Sequence, residues 1–273
     1  MIILRIILLI VLAIPLRAHA IEESTRTYLH AQSPDAWVVM ARSVVGDAPT
    51  VQDVAALQCD GTTGLAKCIL ASTAIGKYPK DVFSGDLVAT LMTAFDGHQF
   101  GTLTALNDDA WAILALRSAG ISVNDAAIGE SSSLLLQRQN SDGGWGYAVP
   151  GTSDTNDTAD IMMALLESGE PASSPALQKA VAYFGSQQNN DGGFSYDQTQ
   201  FGASDGASDA WVMSALRKMG ENVAGWSKNG KTPLDHLNSL RQSDGSYAWQ
   251  TGQSGTSAIT SWAAIALTGQ SYH

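Results

Sequence analysis

The chain has 273 residues, 26 acids against 15 Lys and Arg, a formal net charge of −11 and 45 % hydrophobic residues. This balance argues against a nucleic-acid binder, which needs basic patches, and against a protein held on anionic membrane surfaces. The length suits one domain.

Residues 1–20 read as a cleavable export signal: Arg5 supplies positive charge, an apolar run covers residues 6–16, and Ala18-His19-Ala20 has the small-x-small cleavage pattern, with the cut after Ala20. The run is short for a membrane span, and no later run reaches the required length. The mature chain, residues 21–273, is therefore expected to be a single secreted or periplasmic domain with no transmembrane segment, an uncleaved anchor being the alternative. Cleavage removes Arg5 and Arg17 and no acid, which deepens the negative charge. Cys59 and Cys68 are the only cysteines. In an exported chain such a pair predicts a disulfide, with two buried thiols as the other reading. No second Cys pair or His cluster completes a ligand set, so no metal site and no cofactor is expected.

From there the chain is repetitive, and a period in the 20–50 residue range marks a repeat architecture. One helix per unit follows the pattern acid or hydroxyl, small residue, usually Trp, then an apolar run. It occurs at Asp35-Ala36-Trp37, Asp109-Ala110-Trp111, Thr158-Ala159-Asp160, Asp209-Ala210-Trp211 and Thr260-Ser261-Trp262, with a weaker copy at Leu65-Ala66-Lys67. Gly46, Gly76, Gly120, Gly169 and Gly220 fall nine residues after the Trp position, where a left-handed helix cap wants glycine. Asp-Gly turns at Asp60, Asp96, Asp142, Asp191 and Asp244 are expected to end the other helix of each unit. Those helices are predicted at residues 86–95, 126–139, 175–188 and 233–242. Their mixed faces suit an outer layer, and the Trp-bearing helices, apolar nearly all round, suit an inner one. The expected fold is all-α, an (α/α) toroid of about six helical hairpins whose first two units are short and irregular.

The stretches Gln139-x-x-x-Gly143-x-Trp145 and Gln188-x-x-x-Gly192-x-Phe194 resemble the QW motif of the terpene cyclase and prenyltransferase repeat superfamily. A structural role for them is expected: Gln bonds carbonyls left free at a helix C-terminus, Gly makes the turn, and the aromatic packs on the neighbouring helix. Within that superfamily, cyclases carry Asp-x-Asp-Asp-Thr-Ala, whose middle Asp protonates the substrate. The matching run here is Asp154-Thr155-Asn156-Asp157-Thr158-Ala159, with Asn156 at the proton-donor position. An amide is not a Brønsted acid, and the helix dipole is expected to hold Asp154 and Asp157 as carboxylates. The zinc ligands of prenyltransferase subunits have no counterpart.

Inner-helix N-termini in a toroid converge on one rim, so Asp108, Asp109, Asp154, Asp157 and Asp209 are expected near one another, with Asp205 on a loop there. They read either as an acidic mouth or as helix caps. Trp37, Trp111, Trp211 and Trp262 share one phase, lining a central cavity or packing between units. Asp160 takes that phase in the fourth copy and needs a rim position or a partner. His30, His98 and His236 read as surface residues. The candidate catalytic residues are thus Asp154 and Asp157, and the candidate ligand contacts are Asp109, Asp160, Asp209, Trp111, Trp211 and Trp262. The function expected is a non-catalytic module for a small hydrophobic or polar ligand or a protein partner. The alternative is an enzyme, either of the cyclase type with an altered acid or acting on glycans through rim carboxylates.

Overall fold

The computed structural model describes residues 21–269, so the stretch read as an export signal lies outside the described residues. Twelve α-helices are described. Six belong to the inner layer: α2 (Ala36–Val44), α4 (Gly61–Ala74), α6 (Leu106–Ser118), α8 (Thr155–Glu167), α10 (Gly206–Lys218) and α12 (Ser257–Thr268). Each packs on the next, and α12 packs back on α2, which closes the ring. The outer layer comprises α1 (Glu23–His30), α3 (Val51–Ala55), α5 (Leu87–Met92), α7 (Ala126–Gln137), α9 (Pro175–Gln187) and α11 (Pro233–Ser239). A two-residue ribbon, β1 (Tyr247–Ala248) against β2 (Gly255–Thr256), is the sheet among the described residues. The fold is an (α/α) toroid of six hairpins.

Burial follows the sequence. Every residue from Gly206 to Leu216 in α10 is buried, as a helix covered on both sides requires. In α7 burial is confined to the stripe Ala127, Ile128, Ser131 and Leu135, and the opposite face is wet. The glycines predicted as caps all take left-handed φ. Cys59 and Cys68 form a disulfide within the second unit, with Cα atoms 5.8 Å apart. Asp60-Gly61 departs from expectation. It opens α4 instead of closing an outer helix, because the short α3 has already ended at Ala55.

The turns after the outer helices carry the contacts between units. Gln139 Nε2 donates to Gly143 O within its own turn and to Ala176 O at the start of α9. Gln188 Nε2 does the same to Gly192 O and Trp226 O. These glutamines therefore fasten one hairpin to the next rather than satisfying carbonyls of the helix they follow. Gln242 Nε2 donates instead to Leu240 O in its own unit. There the ring closes through Thr25 Oγ1 on Gly245 O at 2.8 Å and Arg241 on Ser24 and Glu22.

Close approach makes one glycine of the turn indispensable. A Cβ on Gly192, at φ +88°, would stand 2.5 Å from Thr232 O, whereas one on Gly120, at φ +86°, would meet open space. Gly120→Ala should then cost only the left-handed strain, about 1 kcal/mol. Gly192→Ala should add overpacking of backbone against backbone and cost about 3 kcal/mol. Urea midpoints of the two variants test the difference, and equal losses would show that the turn does not seat α11.

Candidate functional site

The inner-helix residue in the Trp phase is the one that meets its counterparts at the barrel axis. Trp37 lies 5.3 Å from Trp111, 5.7 Å from Trp211 and 5.8 Å from Trp262, centroid to centroid. Trp211 is 5.7 Å from both Trp111 and Trp262. Most of these pairs are edge-to-face at contact distance, so the rings pack directly on one another. The fifth member is Lys67, whose Nζ sits 5.1 Å from the Trp37 ring centre and 5.6 Å from that of Trp111. The sixth is Asp160. Of the two readings of the tryptophans, packing prevails, as a plug across the toroid.

Above the plug, toward the inner-helix N-termini, stands an acidic wall. Asn107 Nδ2, on α6, donates to Asp160 Oδ2 at 2.9 Å and to Asp157 Oδ1 at 3.3 Å. Asp154 caps α8, accepting from the N–H groups of Asn156 and Asp157 at 3.0 and 2.8 Å. The Tyr196 hydroxyl lies close to its side chain. Asp160 is 3 % exposed, and its Oδ1 has no hydrogen-bond partner. Burial pushes all three carboxyls above the ordinary range, and their mutual repulsion adds to the shift of Asp154 and Asp160. The expectation that the helix dipole keeps Asp154 and Asp157 ionised is thus overturned, since desolvation outweighs the cap bonds. Burial likewise lowers Lys67, opposed by the charges of Asp160 and Asp35. One side of the mouth is low. Trp37 is the second residue of α2, whereas Trp111, Asp160, Trp211 and Trp262 are each the sixth of their helices. At 1.5 Å per residue α2 starts about 6 Å deeper, beside the half-buried Lys67 and Trp37.

Asp109 and Asp209 do not join this wall, nor do they cap their helices. Both are fully buried and face the outer layer. The backbone N–H groups of Phe100, Trp145, Phe194 and Tyr247 donate to Asp109 Oδ1, Thr158 Oγ1, Asp209 Oδ1 and Thr260 Oγ1 at 2.7–2.9 Å. One position therefore serves every well-formed unit, accepting the buried N–H of the turn aromatic. A threonine hydroxyl donates its own hydrogen bond to a carbonyl. An aspartate brings a second oxygen that needs its own answer. Asp209 finds His236 Nδ1 at 2.5 Å, while Asp109 takes Ser131 Oγ on Oδ1 at 2.6 Å and leaves Oδ2 unpartnered. His236 is accordingly buried, not on the surface, with Asp191 3.7 Å away on its other nitrogen. Asp108 is also outside the wall, held by Thr63 and the Thr102 N–H. Asp205 caps α10.

No protein-family profile and no curated protein matches this sequence. Solved structures do resemble it in fold. Candida albicans protein geranylgeranyltransferase-I, complexed with GGPP, superposes with a TM-score of 0.68 at 12 % identity, covering 89 % of each chain. The ent-copalyl diphosphate synthase of Streptomyces platensis gives 0.58 at 19 % identity over 86 % of this chain and 50 % of its own. A polysaccharide lyase gives 0.61 at 8 % identity over 87 % of this chain and 89 % of its own. At such identities the likeness concerns the (α/α) toroid alone.

Three members of the mouth escaped the sequence reading: Lys67, Asn107 and Tyr196. Lys67 was detectable, since it fills the Trp position of a recognised copy in the same way that Asp160 does. Asn107 lies four residues before Trp111 and so on the same helix face, one turn nearer the rim. Tyr196 belongs to a loop, and its approach to Asp154 crosses between loop and helix with no periodic signal. No group of His, Cys, Asp and Glu able to hold a metal ion occurs among the described residues.

Proposed function

We propose that this chain is an exported, non-catalytic binding module whose small ligand seats in the mouth of the toroid, on the tryptophan plug. The observation that carries this reading is the unpartnered Asp160 Oδ1 in the same axial ring as Lys67, one acceptor and one cation in a largely desolvated place. A buried polar atom without a partner costs about 1–3 kcal/mol, which a ligand group bonded there would recover. The plug argues for a polar ligand. The isoprenoid diphosphates suggested by the transferase and synthase likenesses would need an open axis, and the tryptophans close it.

Native mass spectrometry of the protein purified from its exporting cell, with extraction of bound small molecules, tests this assignment. Wild type should carry a ligand, and Lys67→Met and Asp160→Asn should each lose it while keeping the helical circular dichroism of wild type. A ligand retained undiminished by both variants would place the site elsewhere.

A second reading is favoured by the carboxyls of the wall, which burial keeps protonated above the ordinary range and so suits to general-acid work. In an enzyme of this kind Asp157→Asn would abolish turnover. In the binding module it would leave affinity nearly unchanged, because an amide preserves the contact with Asn107.

A further inference from the structure

The rim above the axial site holds a series of aromatic residues that nothing so far explains. In three successive hairpins the residue two places after the turn aromatic is itself aromatic: Tyr147, Tyr196 and Trp249. Each offers its backbone carbonyl to the first residue of the inner helix one unit back. Leu106 N–H donates to Tyr147 O at 3.0 Å, Thr155 N–H to Tyr196 O at 3.0 Å, and Gly206 N–H to Trp249 O at 2.8 Å. The three residues therefore stand over the starts of α6, α8 and α10, consecutive around the ring and spaced like packed helices, about 8–10 Å apart.

Two of them have their polar edges beside a helix cap, Tyr196 near Asp154 of α8 and Trp249 near Asp205 of α10. Phe201 packs against Tyr196 at 5.6 Å between centroids. Yet Tyr147 is 59 % exposed, Phe201 56 % and Trp249 39 %. Aromatic rings carried on a hydrogen-bonded backbone, with area left in water, lose little freedom when a ligand covers them.

The chemistry of the platform and of the mouth together selects the occupant. It must offer flat apolar faces at intervals along its length and hydroxyl-like groups at its edges for Asp160 and Asn107. A chain of pyranose rings does both. The acidic charge of the protein disfavours polyanionic chains and anionic lipid surfaces. An extended peptide would seek free backbone groups, and those at the starts of α6, α8 and α10 are already bonded to the loops. We propose that the toroid mouth is a glycan-binding face. A neutral oligosaccharide chain lies across Tyr147, the Tyr196–Phe201 pair and Trp249, and one hydroxyl-bearing unit reaches the free oxygen of Asp160. This inference rests on the axial mouth being a ligand site.

Affinity electrophoresis of the full chain tests it, in native gels cast with laminarin, xyloglucan, galactomannan, xylan or pullulan. Wild type should be retarded in at least one gel. Tyr147→Ala and Trp249→Ala should each weaken that retardation by about tenfold, as truncated aromatic anchors do. Tyr78→Ala, an exposed ring just after the C-terminus of α4 and so at the other end of the barrel, should leave it unchanged. Absence of retardation in all five gels, or retardation indifferent to both rim variants, overturns the proposal. A non-saccharide ligand released by Asp160→Asn would overturn it while leaving the axial site standing. A site insensitive to Lys67, Asp160, Tyr147 and Trp249 alike would remove both.

Discussion

Lowering the pH from 7 to 5 should stabilise this protein, the reverse of ordinary acid sensitivity. Burial raises Asp109 and Asp209 from 3.8 to about 6 in the folded chain, and Asp154, Asp157 and Asp160 are raised too. Between the unfolded and the folded pKa the native state holds a proton that the unfolded chain has lost. Stability therefore falls as pH rises through that window and returns on acidification. His236 acts in the same sense. Burial by itself lowers its folded pKa, but the Asp209 bond and the charges of Asp209, Asp191 and Asp205 together raise it, so its contribution is complete below 6.5 and is lost as pH rises through the higher folded value. The opposing group, Asp47, Asp197 and Asp235 among them, has depressed pKa values and withdraws stability only as pH falls below about 4. The maximum should lie near pH 4–5.

Asp109 alone should contribute about 1 kcal/mol of the gain between pH 7 and pH 5. Asp109→Asn isolates that share. The amide oxygen still accepts from the Phe100 N–H and Ser131, and its nitrogen stands where Oδ2 has no partner. The variant should match wild type at pH 5, exceed it at pH 7 by about 1 kcal/mol, and show a flatter profile. Thermal unfolding followed by circular dichroism at half-unit steps decides the matter. A wild-type midpoint that climbs from pH 5 to 7 would mean that the buried carboxyls are ionised and paired in some other way.

How far these groups could be placed from sequence depends on helix phase. At about 100° per residue, a side chain two positions before Trp111 or Trp211 lies about 200° around the helix. If the tryptophans face the axis, Asp109 and Asp209 must then face the outer layer, whereas Asp157, three positions before Asp160, returns to the axial side. Convergence of the helix N-termini on one rim brings backbone ends together and says nothing about side-chain direction. That is why those two aspartates were misplaced while the toroid, its hairpins and its disulfide were legible. His236 carried no such signal, because its partner lies 27 residues away on another helix and the bond appears only when α10 and α11 pack. The plug was half legible. Repetition fixes the phase of Trp37, Trp111, Trp211 and Trp262, but whether the rings meet depends on the radius of a six-membered ring, which no single helix encodes.

Trp211→Ala should be among the most damaging single substitutions in the chain, costing about 3–5 kcal/mol. Trp211 is 5 % exposed and touches three other tryptophans, more than a peripheral core residue could lose at once. The six helices form a closed ring around the plug, so their backbones have little freedom to collapse into the space, and the cavity term adds to the lost transfer energy. The hole would be lined by the remaining rings and by α10 and α12, an apolar void of the kind that stays dry and admits small apolar molecules. Urea unfolding of the variant should show a lower midpoint with an unchanged slope. Titration with benzene should raise the thermal midpoint of Trp211→Ala and leave wild type where it was. This outcome would establish that the axis is shut by side chains alone and that one residue separates this toroid from one with an open, apolar centre. Benzene stabilising wild type equally would reveal space beneath the plug, and the case for a polar ligand confined to the mouth would lose its main support.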